Sequence, residues 1–245
     1  MKRVIRRIKK GIRTIKRIMK RNAKTVILSL GENCLSDNIL DRNDLKSFSS
    51  PYSSGRSNIE YILSFEDEGF ADFLNPNYLK KEKLPDGNTV VRNKKYVTTV
   101  NSYNGSVTNG FEFTHHDVLS DVVSKETIKR RCNRMLGLKG KKIIFLYHHR
   151  MCDETDHSLL ISHLNQIANI YESRGNDVSI YLFAQSIITD LSERRVEYNL
   201  DHGIHNFVFY TLNEWAGDNE DIFWARCDDD LIKTMIDHIR QSKQV

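Results

Sequence analysis

Proline is scarce, three residues in 245 and none of them clustered, which leaves no room for a long disordered proline-rich linker. Cysteine is equally sparse: Cys34, Cys132, Cys152 and Cys227 are scattered, with no Cys-x-x-Cys pair. That spacing signals neither a disulfide framework nor a zinc site, so a reducing, cytoplasmic setting is expected. No run of about 18 apolar residues is present, so no membrane-spanning helix is expected. No apolar segment follows the basic start, as a secretory signal would require. Acidic residues are missing altogether from residues 1–24, which hold twelve Lys or Arg. The rest of the chain carries 25 basic and 32 acidic residues, a net charge of −7.

The basic start is patterned. Val4, Ile5, Ile8, Ile12, Ile15, Ile18 and Met19 fall on one stripe of a helix, and lysines and arginines cover the remainder. Residues 1–24 are therefore expected to form an amphipathic helix, with residues 1–22 lying on an anionic membrane surface or docking on a partner. Nucleic acid is disfavoured as that partner, because the acidic body offers no basic surface to continue the contact. This places the protein in the cytoplasm, peripheral to the inner membrane.

Residues 25–245 read as one α/β domain organised around Cys34. Thr25 to Leu30 is a short apolar, β-branched run, as a strand buried on both faces should be. Gly31 permits a sharp exit, and Cys34 then falls near a helix N-terminus, where free N–H groups and the helix dipole should lower a thiol pKa. The backbone from Gly31 through Asn33 to Cys34 could hold an oxyanion. Further on, Ser47 to Asn58 has the composition of a surface loop, while Ile59 to Phe65 and Phe70 to Leu74 predict helical segments. Residues 84–114 predict a small antiparallel β-rich insertion. From residue 115, helices over Glu126 to Leu136, Asp156 to Ser173 and Asp228 to Ser242 alternate with strands over Lys142 to Tyr147, Val178 to Ala184 and Asn206 to Tyr210. The alternation predicts a three-layer, Rossmann-like, mostly parallel sheet. A site should then lie beyond the carboxyl ends of the strands, gathering Cys34, His148, His149, Arg150, Gln185 and Ser186 on one rim.

A thiol nucleophile needs a base to take and return its proton. His157, His163 and His238 sit on helix patterns that solvation or packing explains, and His202 and His205 lie in a loop, Asp201 to His205, with the wrong spacing for an esterase triad. The pairs His115-His116 and His148-His149 remain. Neighbouring residues on a strand face opposite ways, so no metal site is predicted from them.

Several short motifs occur in order: Ser29 to Cys34, Phe48 to Pro51, Phe70 to Leu74, Phe113 to Asp117, and Lys129 to Arg134 leading into Ile143. Together these resemble a bacterial domain family of unknown function labelled as papain-like cysteine peptidases, related to cysteine-containing proteins of capsule and exopolysaccharide loci. The resemblance covers roughly residues 25–150 and implies Cys34 as nucleophile and His116 as base. It departs at Pro51 to Ser54, where relatives tend to read Pro-Phe-Asp-Trp; Asp117 is the substitute candidate for the acid that orients the base. A papain-type enzyme carries its base on an antiparallel barrel, which conflicts with the parallel sheet expected here.

The chemistry expected is thiol acyl transfer or hydrolysis. The leading reading is an acyltransferase or esterase that modifies a surface polysaccharide or its lipid-linked precursor beside a glycosyltransferase or polysaccharide assembly machinery. Its acyl donor would be a coenzyme A thioester, with Arg56, Arg131 or Arg150 gripping phosphate. The alternatives are a papain-like cysteine peptidase and a non-catalytic nucleotide- or glycan-binding partner of a glycosyltransferase.

Overall fold

The computed structural model describes residues 23–98 and 102–244. The amphipathic helix expected over residues 1–24 lies almost wholly outside the described residues. Among the described residues, no helix is long and apolar enough to cross a membrane.

Among the described residues, eight strands form two sheets. The larger has the order β1-β5-β6-β8-β7, built from β1 (Thr25–Gly31), β5 (Lys142–His148), β6 (Asp177–Ile187), β8 (Ile204–Thr211) and β7 (Arg195–Asp201). Its first four members run parallel and β7 is antiparallel to β8. The smaller is an antiparallel sheet of β2 (Leu79–Lys83), β3 (Thr89–Asn93) and β4 (Phe111–Phe113).

Side-chain alternation along β1 explains the layers. Val26, Leu28 and Leu30 join one core, which continues through Ile59, Ile62 and Phe65 of α2 (Ile59–Asp67), Ile128 and Met135 of α3 (Val122–Leu136), and Leu160 and Leu164 of α4 (His157–Glu172). Ile27 joins the other, with Leu35 and Ile39 of α1 (Leu35–Arg42) and Ile232 and Met235 of α5 (Asp229–Gln244). The central strands β5 and β6 alternate between the same two cores, which is why they read as continuous apolar runs.

Four local expectations change. Phe70 to Leu74 is a series of turns rather than a helix: Gly69 and Phe70 both take positive φ, at 60° and 61°. Those turns place Phe73 in an aromatic cluster with Phe65, Phe111 and Phe113. The β-rich insertion begins earlier than residue 84, because the lysine-rich β2 is its edge strand. Residues 94–98, read as β-rich, have no regular strand. Finally, Asp201 to His205 is a hairpin rather than a loop. His202 and Gly203, at φ 47° and 86°, make the two-residue turn between β7 and β8.

Candidate active site

Cys34 is delivered by an irregularity in β1. The β1–β5 register slips between Ser29 and Gly31, leaving Leu30 as an extra residue. Such a bulge re-aims the chain that follows it. Gly31 turns out of the strand at φ 109°, and the Gly31–Glu32 peptide is cis. A Cβ at Gly31 would lie 2.9 Å from Ser57 Oγ, so the turn has no space for one. Cys34 is the N-cap of α1, and its thiol is partly exposed.

Several amides around this turn are already engaged. The Gly31 N–H donates to Ser29 Oγ at 3.2 Å, Glu32 N–H to the His148 carbonyl at 3.3 Å, and Leu35 N–H to Asn33 Oδ1 at 2.9 Å. Asn33 is thus the side-chain cap of α1. Among the described residues, the amides of Asn33 and Cys34 have no such partner, and the Cys34 amide faces its own sulfur.

Burial is the largest influence on the Cys34 thiol and pushes its pKa up; its amide and Arg56 pull it down, and Asp37 pushes it up. The net shift is upward. The helix N-terminus expected to acidify the thiol is outweighed by desolvation. Cys34 therefore rests as a thiol and needs a base.

Asp37 and Arg56 are the charged neighbours of Cys34, and Arg131 is in turn a neighbour of Asp37. Asp37, on the first turn of α1, is bound to Lys46 Nζ at 2.5 Å. Arg56 ends the loop 50–56, with its Nε 3.7 Å from Glu112 Oε1 and its backbone bridged to Glu112 by two hydrogen bonds of 3.0 and 2.9 Å. Arg131 comes from α3 and donates to Ser50 O at 3.4 Å and Ser54 Oγ at 3.2 Å. Ser53 forms a capping box with Ser50 and so folds the loop.

His116 follows β4, on the exit from the antiparallel sheet. Burial first, then Arg131 and His115, hold its pKa below the ordinary value, against a smaller opposing pull from Asp121. The imidazole is therefore neutral and free to accept a proton at neutral pH. Asp117 does not serve His116: its carboxylate is bound to Lys81 Nζ at 2.7 Å and accepts the Leu119 and Ser120 amides. Electrostatic neighbours run from Cys34 to Asp37, from Asp37 to Arg131, and from Arg131 to His116. The chain holds both a mostly parallel and an antiparallel sheet. Cys34 belongs to the parallel one and His116 to the antiparallel one.

His148 and His149 diverge as alternation requires. His148 is buried against Phe183, with ring centroids 4.8 Å apart. His149 enters the other side of the sheet, with Nδ1 3.8 Å from Glu32 Oε2 and Nε2 3.4 Å from Thr155 Oγ1. Glu32 also accepts the Arg150 N–H at 2.7 Å, while the Arg150 side chain lies 3.6 Å from Glu214. These three rim residues thus support Glu32, a buried carboxyl group that nothing in the sequence singled out. Gln185 and Ser186 line a separate cavity of about 270 Å³ between β6, β8 and α4, together with Leu160, Asn206 and Tyr210. Strand β5 and part of the core separate it from β1. Among the described residues, no group of three His, Cys, Asp or Glu could hold a metal ion.

Burial raises the Glu32 pKa from 4.5 to about 8 and lowers that of His149 from 6.5 to about 4. A buried carboxyl with a raised pKa favours folding while protonated, and that stability is lost as pH rises towards 8. A histidine with a lowered pKa gives stability that grows as pH rises from 4 to 6.5. The two oppose each other below pH 6.5, so a net loss of stability is expected between pH 6.5 and 8. Thermal melts of Glu32→Gln should be flatter over that window than those of the native protein. An identical slope would show that Glu32 does not titrate there.

A helix-capping thiol at a strand end, next to amides without a backbone partner among the described residues, is a feature of a cysteine-based catalytic domain. Residues 25–186, about two thirds of the chain, match the family described as "Putative papain-like cysteine peptidase", and the chain belongs to that family. No curated protein and no solved structure matches it.

Proposed function

We propose that this protein is a thiol-dependent acyl hydrolase acting on peptide bonds, with Cys34 as nucleophile and His116 as base. The observation that carries this is the placement of Cys34 at the α1 N-cap, partly exposed and with unpartnered amides at Asn33 and Cys34. Family membership favours peptide amides over other acyl groups.

Because burial keeps Cys34 protonated, the first step is transfer of its proton to His116. Sulfur then bonds to the substrate carbonyl carbon, and the Asn33 and Cys34 N–H groups donate to the oxyanion. The carbon–nitrogen bond breaks as His116 returns the proton to the leaving amine. Water, deprotonated by the same imidazole, cleaves the thioester and restores the thiol. Release of the acyl group to a sugar hydroxyl would pass through the same thioester. The coenzyme A donor and polysaccharide acceptor belong to that version, which the family match does not favour.

Hydrolysis of p-nitrophenyl acetate and of a mixed peptide panel tests this reading. Cys34→Ala should lose at least about 10³-fold in kcat/KM while melting as the native protein does. His116→Ala should lose about 10²- to 10⁴-fold, as expected for removal of a general base. Undiminished turnover by Cys34→Ala would exclude the mechanism.

A further inference from the structure

Among the described residues the two sheets end in four edge strands, and three of these are guarded. On β1 the Ser47 N–H donates to the Ile27 carbonyl at 3.0 Å and the Ile27 N–H donates to Ser47 Oγ at 2.9 Å. On β4, Glu112 is bridged by Arg56. Strand β2 exposes Lys80, Lys81 and Lys83, and lysines are a common means of keeping an edge unpaired. Strand β7, Arg195-Val-Glu-Tyr-Asn-Leu-Asp201, has no such guard. It contains neither proline nor lysine, its ladder to β8 is unbroken, and no described strand pairs with its outer side. An edge left in this state is a template for another strand.

The turn into β8 fixes which backbone groups face outward. His202 and Gly203, both at positive φ, form a two-residue turn, and the pair flanking such a turn, here Asp201 and Ile204, is of the hydrogen-bonded kind. Alternation along the ladder then directs the N–H and C=O of Arg195, Glu197, Asn199 and Asp201 towards β8, and those of Val196, Tyr198 and Leu200 outward. Side chains alternate as well. The first four share one face of the sheet; the other three share the opposite face, where Tyr198 packs on His238 of α5 with ring centroids 4.5 Å apart.

We infer that β7 pairs with β7 of a second copy of this chain, antiparallel about a two-fold axis at Tyr198, so that two five-stranded sheets join into one of ten strands. Hydrogen bonds form between outward-facing residues, which confines the register to shifts of two residues. Centred on Tyr198, the whole strand pairs: Tyr198 faces its own counterpart, Val196 faces the partner's Leu200, and Arg195 faces the partner's Asp201. Sliding by two residues sets Glu197 against its own counterpart in one direction and against the partner's Asp201 in the other, and like charges opposite one another oppose pairing. Leu200 is 61 % exposed in the single chain and Val196 half-buried, so their contact removes apolar surface from water. Arg195 already binds Glu197 at 2.8 Å and Asp201 lies 3.5 Å from His157, so pairing adds a counterion without stranding either charge. Cys34 follows β1, at the opposite edge of the sheet.

Sedimentation velocity of the full chain over a range of concentrations should show a reversible monomer–dimer equilibrium. Hydrogen exchange in the peptide spanning β7 should slow as the dimer fills. Leu200→Pro removes an outward N–H and no ladder bond to β8, a change an edge strand tolerates, and should abolish the dimer while melting close to the native protein. Arg195→Asp should weaken association about tenfold, because two cross-strand attractions become two repulsions. Adding Asp201→Arg should restore it, a rescue specific to this register. These charge variants keep the test decisive should the proline unfold the hairpin. A chain that stays monomeric at every concentration, or a dimer undiminished in Leu200→Pro and Arg195→Asp, would overturn the inference. So would a β7 equally protected at all concentrations, which would place another segment on the edge, and so would a double variant that melts as the native protein does without regaining the dimer.

Discussion

Gly110→Ala is expected to destabilise the protein by about 3–5 kcal/mol, a large share of the total for a domain. Gly110 precedes β4 at φ 80°, where an L side chain is strained. A Cβ there would also lie 2.2 Å from the Asn93 carbonyl oxygen and 3.2 Å from its carbon. Both are backbone atoms of β3, and Asn93 pairs with Phe111 in the sheet. The Asn93 side chain meanwhile holds the Asp72 and Phe73 carbonyls at 2.8 and 3.1 Å. Relief of the clash must therefore shift β4 away from β3, taking Glu112 and His116 with it. Urea denaturation should show a lower midpoint with an unchanged slope. A loss under about 1 kcal/mol would mean that β4 adjusts more freely than this packing allows.

Glu112→Ala should cost about 3–5 kcal/mol, the usual penalty for stripping one partner from a buried ion pair. Glu112 is fully buried and Arg92 almost so, and Arg92 keeps only the half-buried Glu82, 2.9 Å from its Nε, as a counterion. The double variant Glu112→Ala with Arg92→Met should recover part of the loss, because no uncompensated charge then remains in the core. Equal destabilisation in the single and double variants would show that the pair is not the source. The single variant should also release the Arg56 guanidinium from its 3.7 Å contact, while the two backbone hydrogen bonds between positions 56 and 112 remain.

The sequence reveals these features unevenly, for physical reasons. The strand, glycine turn and helix around Cys34 are legible because a doubly buried strand is a continuous apolar run and a turn at positive φ favours glycine. The small sheet is legible through its turn residues, but β2 is hidden: as an edge strand it is rich in lysine and carries little apolar alternation. Strand β7 is hidden for the same reason, with Arg195, Glu197 and Asn199 exposed. The divergence of His148 and His149 follows from strand alternation. Glu32 could not be foreseen, since Gly31, Glu32 and Asn33 read simply as a polar turn, whereas the register slip buries the carboxyl against His149. Adjacency in sequence points Asp117 towards His116, whereas Lys81 of β2 binds it instead. The helix N-terminus at Cys34 is legible in the sequence and implies a lowered pKa, whereas the burial that raises it is not.

The most direct test of Cys34 as nucleophile is intact-protein mass spectrometry with peptide mapping, after brief reaction with p-nitrophenyl acetate and acid quenching. One acetyl group is predicted on Cys34 of the native protein, absent from Cys34→Ala and slower to form in His116→Ala. Acetylation that persists in Cys34→Ala, or that maps to Cys152 or Cys227 in the native protein, would contradict the assignment.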